Sequence, residues 1–302
     1  MLWLFVSLLG GGVAGRLAPD VWPVARVADR ALEAGLLVLL AMMGVRLGAS
    51  ERVLSNLGPL GLRAVALAAG SIAGSVLLVV AAGRYLPSLD PDGEASATPD
   101  ATEGGAALPV LVLAALLFGG AVGWVAPDRV VALVAAATTP TLYALLVAVG
   151  ATLAAGADVL ASARRLGPAV LVLPACIALG SLAGAVLVGS AFGMASAEAA
   201  AVGAGFGWYS LSGVLVSDLH GVYLGSLTFL ANVLRELLTF LVLPFVVRHF
   251  GRAAGVAPGG ATAMDVTLPA VRRTAGREAV VPAVVSGATL SLLVPILIPS
   301  LI

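Results

Sequence analysis

The chain has 302 residues, of which 60% are apolar and only 11% are charged. Globular proteins average about 45–50% apolar and about 25% charged residues, and the mean hydropathy of +1.09 exceeds what a water-facing surface allows. Sixteen basic and 16 acidic residues cancel, so no positive excess attracts nucleic acid. The composition excludes a soluble enzyme, a disordered chain and a disulfide scaffold, and it predicts an all-α polytopic membrane protein.

Apolar segments long enough to cross a bilayer follow one another along the chain. A transmembrane helix needs about 17–25 predominantly apolar residues. The segments that meet this requirement run over 2–18, 31–50, 60–87, 107–126, 130–154, 167–192, 198–217, 222–247 and 279–299. A weaker segment covers 255–271, so the sequence predicts about 8–10 transmembrane helices.

Three pairs of segments indicate an internal repeat. LLGGGVAGRLAPD (8–20) matches LLFGGAVGWVAPD (116–128), LLVLLAMMGVRLGA (36–49) resembles LYALLVAVGATLAA (142–155), and GSIAGSVLLV (70–79) matches GSLAGAVLVG (180–189). The offsets of 108, 106 and 110 residues are nearly constant. Because each copy holds three spans, the second copy is predicted to lie inverted in the membrane, as in many secondary transporters. Duplication without any remaining functional symmetry is the alternative.

The repeat and one polar linker divide the chain into four regions. Residues 88–106 combine Pro, Gly, Ser and Thr with five acidic residues and are predicted to form a disordered loop. The predicted regions are a first three-span repeat (1–87), this acidic loop (88–106), a second three-span repeat (107–193) and a C-terminal transport-site region (194–302).

Glu236 is the strongest candidate for a functional charge inside a span. It lies twelve residues before Arg248 in the apolar run SLTFLANVLRELLTFLVLPFV, about 18 Å from the span end, where insertion of a charge costs about 2.5–3.5 kcal/mol. The neighbouring Arg235 points about 100° away around a helix and does not simply neutralise Glu236. Asn232, one turn earlier, is expected on the face of Glu236. A structural ion pair inside the bundle is the alternative to a titratable site that faces a cavity.

Asp265 is the second candidate. It lies in GVAPGGATAMDVTLPA with two adjacent glycines, Thr262, Thr267 and Pro269 around it. This segment is poor as an unbroken helix and favours a re-entrant or broken helix, in which the freed backbone groups line a cavity. An extramembrane loop whose Asp265 caps a helix is the alternative.

A glycine-rich segment over 203–213, GAGFGWYSLSG, precedes the span of Glu236. Glycine permits unwinding and close backbone approach, and hydroxyl and N–H groups at broken helix ends can hold a carboxylate. The candidate residues in this segment are Trp208, Tyr209, Ser210 and Ser212. Close helix packing by small residues is the alternative. Together with 259–269, the segment predicts a midplane site with two carboxylates, backbone dipoles and hydroxyl groups.

Enzyme and cofactor signatures are missing from the sequence. It contains no HExxH, CxxC, P-loop or GxSxG motif, and GAGFGW does not follow a strand in a βαβ unit. We therefore expect no enzyme activity, no metal and no cofactor.

Four motifs carry a resemblance to a known family. GFGWYSLSGVL (205–215), RELLTFLVLP (235–244), GGATAMDVTLP (259–269) and SLLVPILIP (291–299) resemble the bacterial lysine exporter family called LysO. The match is strong over 200–302 and weaker over 1–195.

The resemblance implies a multi-pass inner-membrane exporter of L-lysine that also protects against toxic lysine analogues. It implies two essential intramembrane carboxylates, which fall on Glu236 and Asp265. It also implies a relation to cation/proton antiporters and bile-acid transporters, which have inverted repeats and crossed broken helices. Some members have a carboxylate where this chain has Asn232, so substrate preference and coupling stay open.

These observations lead to the hypothesis of lysine/proton antiport. The carboxylates would bind either a proton or the ε-ammonium group, while the segment 203–213 would hold the α-carboxylate. The expected partners are L-lysine, protons and the lipid bilayer, with a homo-oligomer left open. The alternatives are a Na⁺/H⁺ antiporter, an exporter of another cationic amino acid, a passive holin-like pore and an intramembrane enzyme.

Overall fold

The computed structural model describes residues 2–17, 24–83, 107–154 and 169–302. Within these ranges every regular element is helical, which confirms the predicted all-α class. The predicted acidic loop over 88–106 lies outside the described residues.

Twelve α-helices are described in these ranges. They are α1 (Leu2–Leu17), α2 (Val24–Gly48), α3 (Glu51–Gly83), α4 (Ala107–Val125), α5 (Asp128–Ala154), α6 (Ala169–Ala191), α7 (Ser196–Gly203), α8 (Tyr209–His220), α9 (Val222–Phe250), α10 (Arg252–Val256), α11 (Leu268–Ala275) and α12 (Val280–Leu301). Two 3₁₀ turns, Gly260–Met264 and Arg277–Ala279, precede α11 and α12 respectively.

Five of the described helical segments are long and apolar enough to cross a membrane. They run over Leu60–Gly83, Asp128–Ala151, Leu171–Ala191, Val222–Phe250 and Arg277–Leu301. Each overlaps a span expected from the sequence. Shorter apolar stretches in α1, α2 and α4 cover Val6–Gly15, Ala34–Gly48 and Leu113–Val125.

One compact unit contains α1, α2, α4 and α5. In it α1 packs along α5 and α2 packs along α4. Glycines allow the backbones to touch: Gly11 lies against Val147, and Gly150 lies against Leu8. Small residues permit such close approach where lipid supplies no hydrophobic drive for helix association.

The contacts between α2 and α4 repeat those between α1 and α5 in the register of the sequence repeat. Gly119 lies against Ala41, and Gly44 lies against Leu116. Gly119 lies 108 residues after Gly11, and Ala41 lies 106 residues before Val147. The contact of Gly119 with Ala41 is therefore the repeat equivalent of the contact of Gly11 with Val147. The packing of this unit therefore agrees with the internal repeat.

The second compact unit contains α3 and all elements from α6 to α12. Helices α3 and α6 meet through four glycines, with Gly74 against Gly180 and Gly70 against Gly184. These are the glycines that the third repeat pair aligns, because Gly70 corresponds to Gly180 and Gly74 to Gly184. Side chains such as Leu62, Leu77 and Leu187 are exposed on the outer faces of the pair, as lipid contact requires.

Helices α7 and α8 form the first re-entrant hairpin of this unit. Its ends lie together, because His220 at the end of α8 contacts Glu198 in the first turn of α7 at 2.9 Å. Its tip is the irregular segment 204–208. Helix α9 then runs antiparallel to α8, with Gly225 against Ser217 and Gly213 against Phe229. The continuous span expected over 198–217 is therefore wrong, since the chain turns back at its glycines.

Helices α10 and α11 form the second re-entrant hairpin, with a tip over 257–267 that includes the first 3₁₀ turn. Its ends also lie together, because Arg252 at the start of α10 pairs with Glu278 just beyond α11 at 2.7 Å. The two hairpins start from opposite ends of α9, since one precedes Val222 and the other follows Phe250. The re-entrant arrangement, rather than a pair of crossed broken spans, describes both interrupted segments.

The contact of α3 with α6 gives a test of the glycine packing. A Cβ at Gly180 would overlap backbone atoms of Gly74 and Ser75, whereas one at Gly58 meets no atom within 4 Å. We expect Gly180→Ala to cost about 1–3 kcal/mol through overpacking and to lower the thermal unfolding midpoint in detergent. Gly58→Ala, in the same helix pair, should leave the midpoint unchanged or raise it. Equal midpoints for both variants would contradict the packing.

Candidate functional site

The two hairpin tips meet at the level of the middle of α9. The N–H of Ala261 donates to the carbonyl of Phe206 at 2.8 Å, and Gly260 lies against the same carbonyl. The tips use left-handed backbone at Phe206 (φ 47°), Gly207 (φ 91°) and Gly260 (φ 59°). Such a φ is uncommon for phenylalanine, and the Phe206 side chain is fully buried. The tips are therefore held in place by tertiary contacts.

Asn232 of α9 fixes the first hairpin tip. Its Oδ1 accepts from the N–H of Gly207 at 2.7 Å, and its Nδ2 donates to the carbonyls of Val202 at 3.1 Å and Thr228 at 2.9 Å. Gly205 packs directly on the amide, where any Cβ would clash. The buried amide thus forms hydrogen bonds with backbone groups at the end of α7 and in the tip, as well as within its own helix.

Arg235 of α9 fixes the second hairpin tip. The side chain is 1% exposed; its Nε donates to the carbonyl of Pro258 at 3.1 Å and its Nη2 to the carbonyl of Ala257 at 3.3 Å. These carbonyls follow α10, where the negative end of the helix dipole favours a cation. The guanidinium therefore finds its compensation in backbone carbonyls.

Two serines extend the contacts of Arg235 to the α3–α6 pair. Nη1 donates to Ser181 Oγ at 2.6 Å, and Nη2 donates to Ser75 Oγ at 3.4 Å. Ser181 Oγ donates onward to the carbonyl of Gly203, at the end of α7, at 2.8 Å. One buried network thus joins both hairpin tips to α3, α6 and α9.

We call the buried network at the two hairpin tips the centre. The two predicted carboxylates lie in elements that form it, Glu236 in α9 and Asp265 in the second tip. Glu236 is 2% exposed, one turn beyond Asn232 on α9. Asp265 is half-buried at the end of the 3₁₀ turn, where its Oδ1 accepts from the N–H of Val266 at 2.6 Å. Its neighbour Met264 packs against Gly287 of α12. Glu236 is thus removed from bulk water, whereas Asp265 is only partly so.

The predicted hydroxyl residues have different surroundings. Thr262 Oγ1 donates to the carbonyl of Gly259 at 2.9 Å, and Thr267 Oγ1 donates to that of Thr262 at 3.0 Å, so both brace the second tip. Ser212 is buried, and its hydroxyl donates to the carbonyl of Trp208 within the start of α8. Ser210 is exposed.

The aromatic pair at the first tip marks the beginning of α8. Trp208 is its N-cap residue and Tyr209 its first helical residue. Tyr209 packs edge-on against Phe229 of α9, with ring centroids 5.5 Å apart. Both side chains are partly exposed.

The structure thus brings Asn232, Thr262 and Thr267 into the tip contacts. Sequence reasoning missed Arg235, which it treated only as a neighbour of Glu236, and it missed Ser75 and Ser181. Arg235 lies as far from the span end as Glu236, so the same reasoning could have selected it. Both serines lie in the third repeat pair, over 70–79 and 180–189. Among the described residues no group of three His, Cys, Asp or Glu could hold a metal ion.

The fold and this centre define a polytopic α-helical membrane protein with two re-entrant hairpins whose tips meet at a buried polar network. The profile of the family described as lysine exporter LysO matches residues 113–302, more than half of the chain. The chain belongs to that family.

Two curated relatives match over 128 residues, 42% of this chain. The lysine exporter LysO of Escherichia coli (strain K12) is 38% identical, and the match covers 42% of its length. A putative lysine exporter of Haemophilus influenzae (strain ATCC 51907 / DSM 11121 / KW20 / Rd) is 34% identical, with 65% of its length covered. The matched segment thus spans less than two thirds of either relative.

Arg235→Met tests the role of the guanidinium. The variant leaves the carbonyls of Ala257 and Pro258 without their donor, and an unsatisfied buried group costs about 1–3 kcal/mol. We expect a loss of about 3 kcal/mol or more in the free energy of unfolding, measured by denaturation in detergent. Arg248→Met, at the exposed end of the same helix, is the control and should change it by less than about 0.5 kcal/mol. Similar losses in both variants would contradict the role.

Asn232→Asp tests the amide at nearly constant volume. It removes both donated hydrogen bonds and brings a carboxylate against the carbonyls of Val202 and Thr228. We expect a destabilisation of about 1–3 kcal/mol, seen as a lower thermal midpoint. Ser210→Asp adds a carboxylate at an exposed position nearby and should leave the midpoint nearly unchanged. An Asn232→Asp midpoint equal to that of the wild type would show that the donors are dispensable.

Proposed function

We propose that this protein exports L-lysine, and toxic lysine analogues, across the bacterial inner membrane by proton antiport. The supporting observation is the meeting of two re-entrant tips at a buried network on α9, next to Glu236. Non-helical backbone at membrane depth is tolerated only where protein or a water-filled cavity surrounds it, and it typically marks transporter binding sites. Both matched relatives are named as lysine exporters.

The charges of the centre suit one monovalent cation. Arg235 contributes one positive charge, while Glu236 and Asp265 contribute two negative charges when both are ionised. The net charge of these three residues is then −1. Either one proton or one ammonium group neutralises it, which is the stoichiometry that exchange at a single site requires.

Competition for the carboxylates couples the two flows. A buried carboxylate favours its protonated form because a low-dielectric site disfavours the ion. When the ε-ammonium of lysine binds, it replaces the proton, which leaves toward the cytoplasm. Inward proton movement then drives the cation outward against the membrane potential.

The α-carboxylate of lysine is assigned to the start of α8. The hydroxyl of Ser212 is engaged with Trp208 and the N–H of Tyr209 with the carbonyl of Gly207, so the N–H groups of Ser210 and Leu211 in the first turn are the proposed donors. The positive end of the helix dipole favours an anion there. The sequence analysis named both hydroxyl and N–H groups of 203–213 as candidates, and this proposal uses the N–H groups.

The hairpins supply a route for alternating access. The first hairpin starts at the end of the unit where Glu198 lies. The second hairpin starts at the opposite end, where Glu278 lies. Movement of either tip away from the network opens the centre to one side only. Because Arg235 holds the second tip and Asn232 the first, the two gates share one helix.

Purified protein in liposomes loaded with labelled lysine tests the function. With an imposed pH gradient, wild-type protein should show saturable lysine efflux. Glu236→Gln and Asp265→Asn should each reduce it at least about tenfold, because each removes a charged partner of the ammonium. Asp218→Asn, at an exposed carboxylate near the end of α8, is the matched control and should retain efflux.

The alternatives give different results in the same assay. Lysine efflux by Glu236→Gln with unchanged pH dependence would refute the coupling mechanism. If sodium flux is coupled to the pH gradient and lysine does not move, the substrate is Na⁺ and not lysine. Non-saturable lysine leakage would indicate a passive pore.

A further inference from the structure

A polar cavity lies in the same unit, at the end of the first hairpin away from its tip. Its volume is about 210 Å³, below the range of about 300–1,000 Å³ for drug-sized ligands. We call it the outer pocket; its polar residues are Arg63, Glu198, His220 and Tyr223. Its size suits a small solute.

The positive wall of the outer pocket is a positioned guanidinium. Arg63 Nη1 donates to Tyr223 Oη at 2.8 Å, and Arg63 Cζ lies 5.8 Å from the ring centroid of Phe192. A ring face attracts a cation within about 6 Å of its centroid, and this contact leaves the other N–H groups of Arg63 available. Among the described residues Tyr223 is the acceptor for Arg63. A guanidinium in this state can bind a carboxylate with two parallel hydrogen bonds.

The negative wall is a positioned carboxylate. Glu198 Oε1 contacts His220 Nε2 at 2.9 Å, and its Oε2 accepts from the N–H of Ala195 at 3.2 Å. A carboxylate has about four acceptor sites, so these contacts leave capacity for an ammonium group. Within the described chain Arg63 and Glu198 form no salt bridge with each other, although both line one cavity. The pocket thus presents a guanidinium and, not paired with it, a carboxylate that His220 contacts.

The floor of the pocket is apolar and leads toward the central site. Leu224 and Leu227 of α9 line it and are themselves packed into the protein, at 4% and 0% exposed. From Leu224 to Asn232 is eight residues of helix, or about 12 Å. From Glu198 to the end of α7 at Gly203 is five residues, or about 8 Å. The pocket therefore lies between the surface and the first hairpin tip.

We propose that the outer pocket is a second binding site for the head group of an α-amino acid, with the α-carboxylate on Arg63 and the α-ammonium on Glu198. This proposal rests on the proposed transport of lysine and adds a site at one end of its route. Recognition by the zwitterionic head means that the pocket accepts amino acids with neutral side chains as well. Selection for the ε-ammonium then belongs to the central carboxylates.

Calorimetric titration of purified protein in lipid nanodiscs tests the outer pocket. A Glu236→Gln background weakens the central site, and the probes are L-lysine, L-norleucine and 1,5-diaminopentane. Norleucine keeps the head group and lacks the ε-ammonium, whereas the diamine lacks the carboxylate. Arg63→Gln should weaken lysine and norleucine binding about tenfold, since the charged hydrogen bonds to the carboxylate are lost, and leave diamine binding unchanged.

Matched variants separate a specific effect from general damage. Arg46→Gln on α2 and Glu51→Gln at the start of α3 change exposed charges that do not line the pocket, and they should leave all three affinities unchanged. Glu198→Gln should weaken norleucine about tenfold. Arg63→Lys keeps the charge without the planar fork and should lie between wild type and Arg63→Gln.

The outcomes for the pocket and for the transport function are distinguishable. Norleucine affinity that is equal in Arg63→Gln and Arg46→Gln overturns the outer pocket, and lysine efflux from wild-type liposomes leaves the transport proposal intact. If wild-type liposomes release no lysine, the transport proposal fails. Loss of norleucine binding in Arg63→Gln then still supports the head-group site. Equal loss of diamine and norleucine binding would overturn recognition of the carboxylate.

Discussion

A buried guanidinium organises the centre of this protein. Arg235 carries a full positive charge at the middle of a membrane-spanning helix, where removal from water costs several kcal/mol unless the charge is compensated. Compensation comes from the carbonyls of Ala257 and Pro258 and from the hydroxyls of Ser75 and Ser181. Because these groups belong to a hairpin and to two helices, the charge can be buried only if those elements assemble around α9.

The same constraint explains the hairpin tips. Irregular backbone inside a bilayer must find its hydrogen-bond partners within the protein. Asn232 supplies one acceptor and two donors to the first tip and its neighbouring turn, and the contact of Ala261 with Phe206 joins the tips directly. Three glycines permit this close approach. A Cβ at Gly205 would clash with the Asn232 amide, and one at Gly260 would clash with the Phe206 carbonyl. Gly207 has a positive φ that other residues rarely adopt.

Fixed and titratable charges have separate tasks in the proposed mechanism. Arg235 keeps its charge and its partners, so it sets a constant field at the tips. Glu236 and Asp265 change protonation, so the charge of the centre alternates with its occupant. The outer pocket would add recognition of the head group at one end of the route, where the shared chemistry of all α-amino acids is accessible. Specificity for a cationic side chain then depends on the depth of the carboxylates.

The sequence by itself determined the membrane class, most of the helices and the interrupted segments, because apolar length and glycine spacing are local properties. It also placed Glu236 and Asn232 on one buried face. Only the tertiary structure decided that 198–217 turns back on itself, since a contact such as that of His220 with Glu198 depends on chain direction in space. The role of Arg235 likewise depended on the fold, because its partners Ser75, Ser181 and Pro258 are far apart in the chain. Sequence spacing can show that a charge is deep, whereas its partners are set by how distant elements pack.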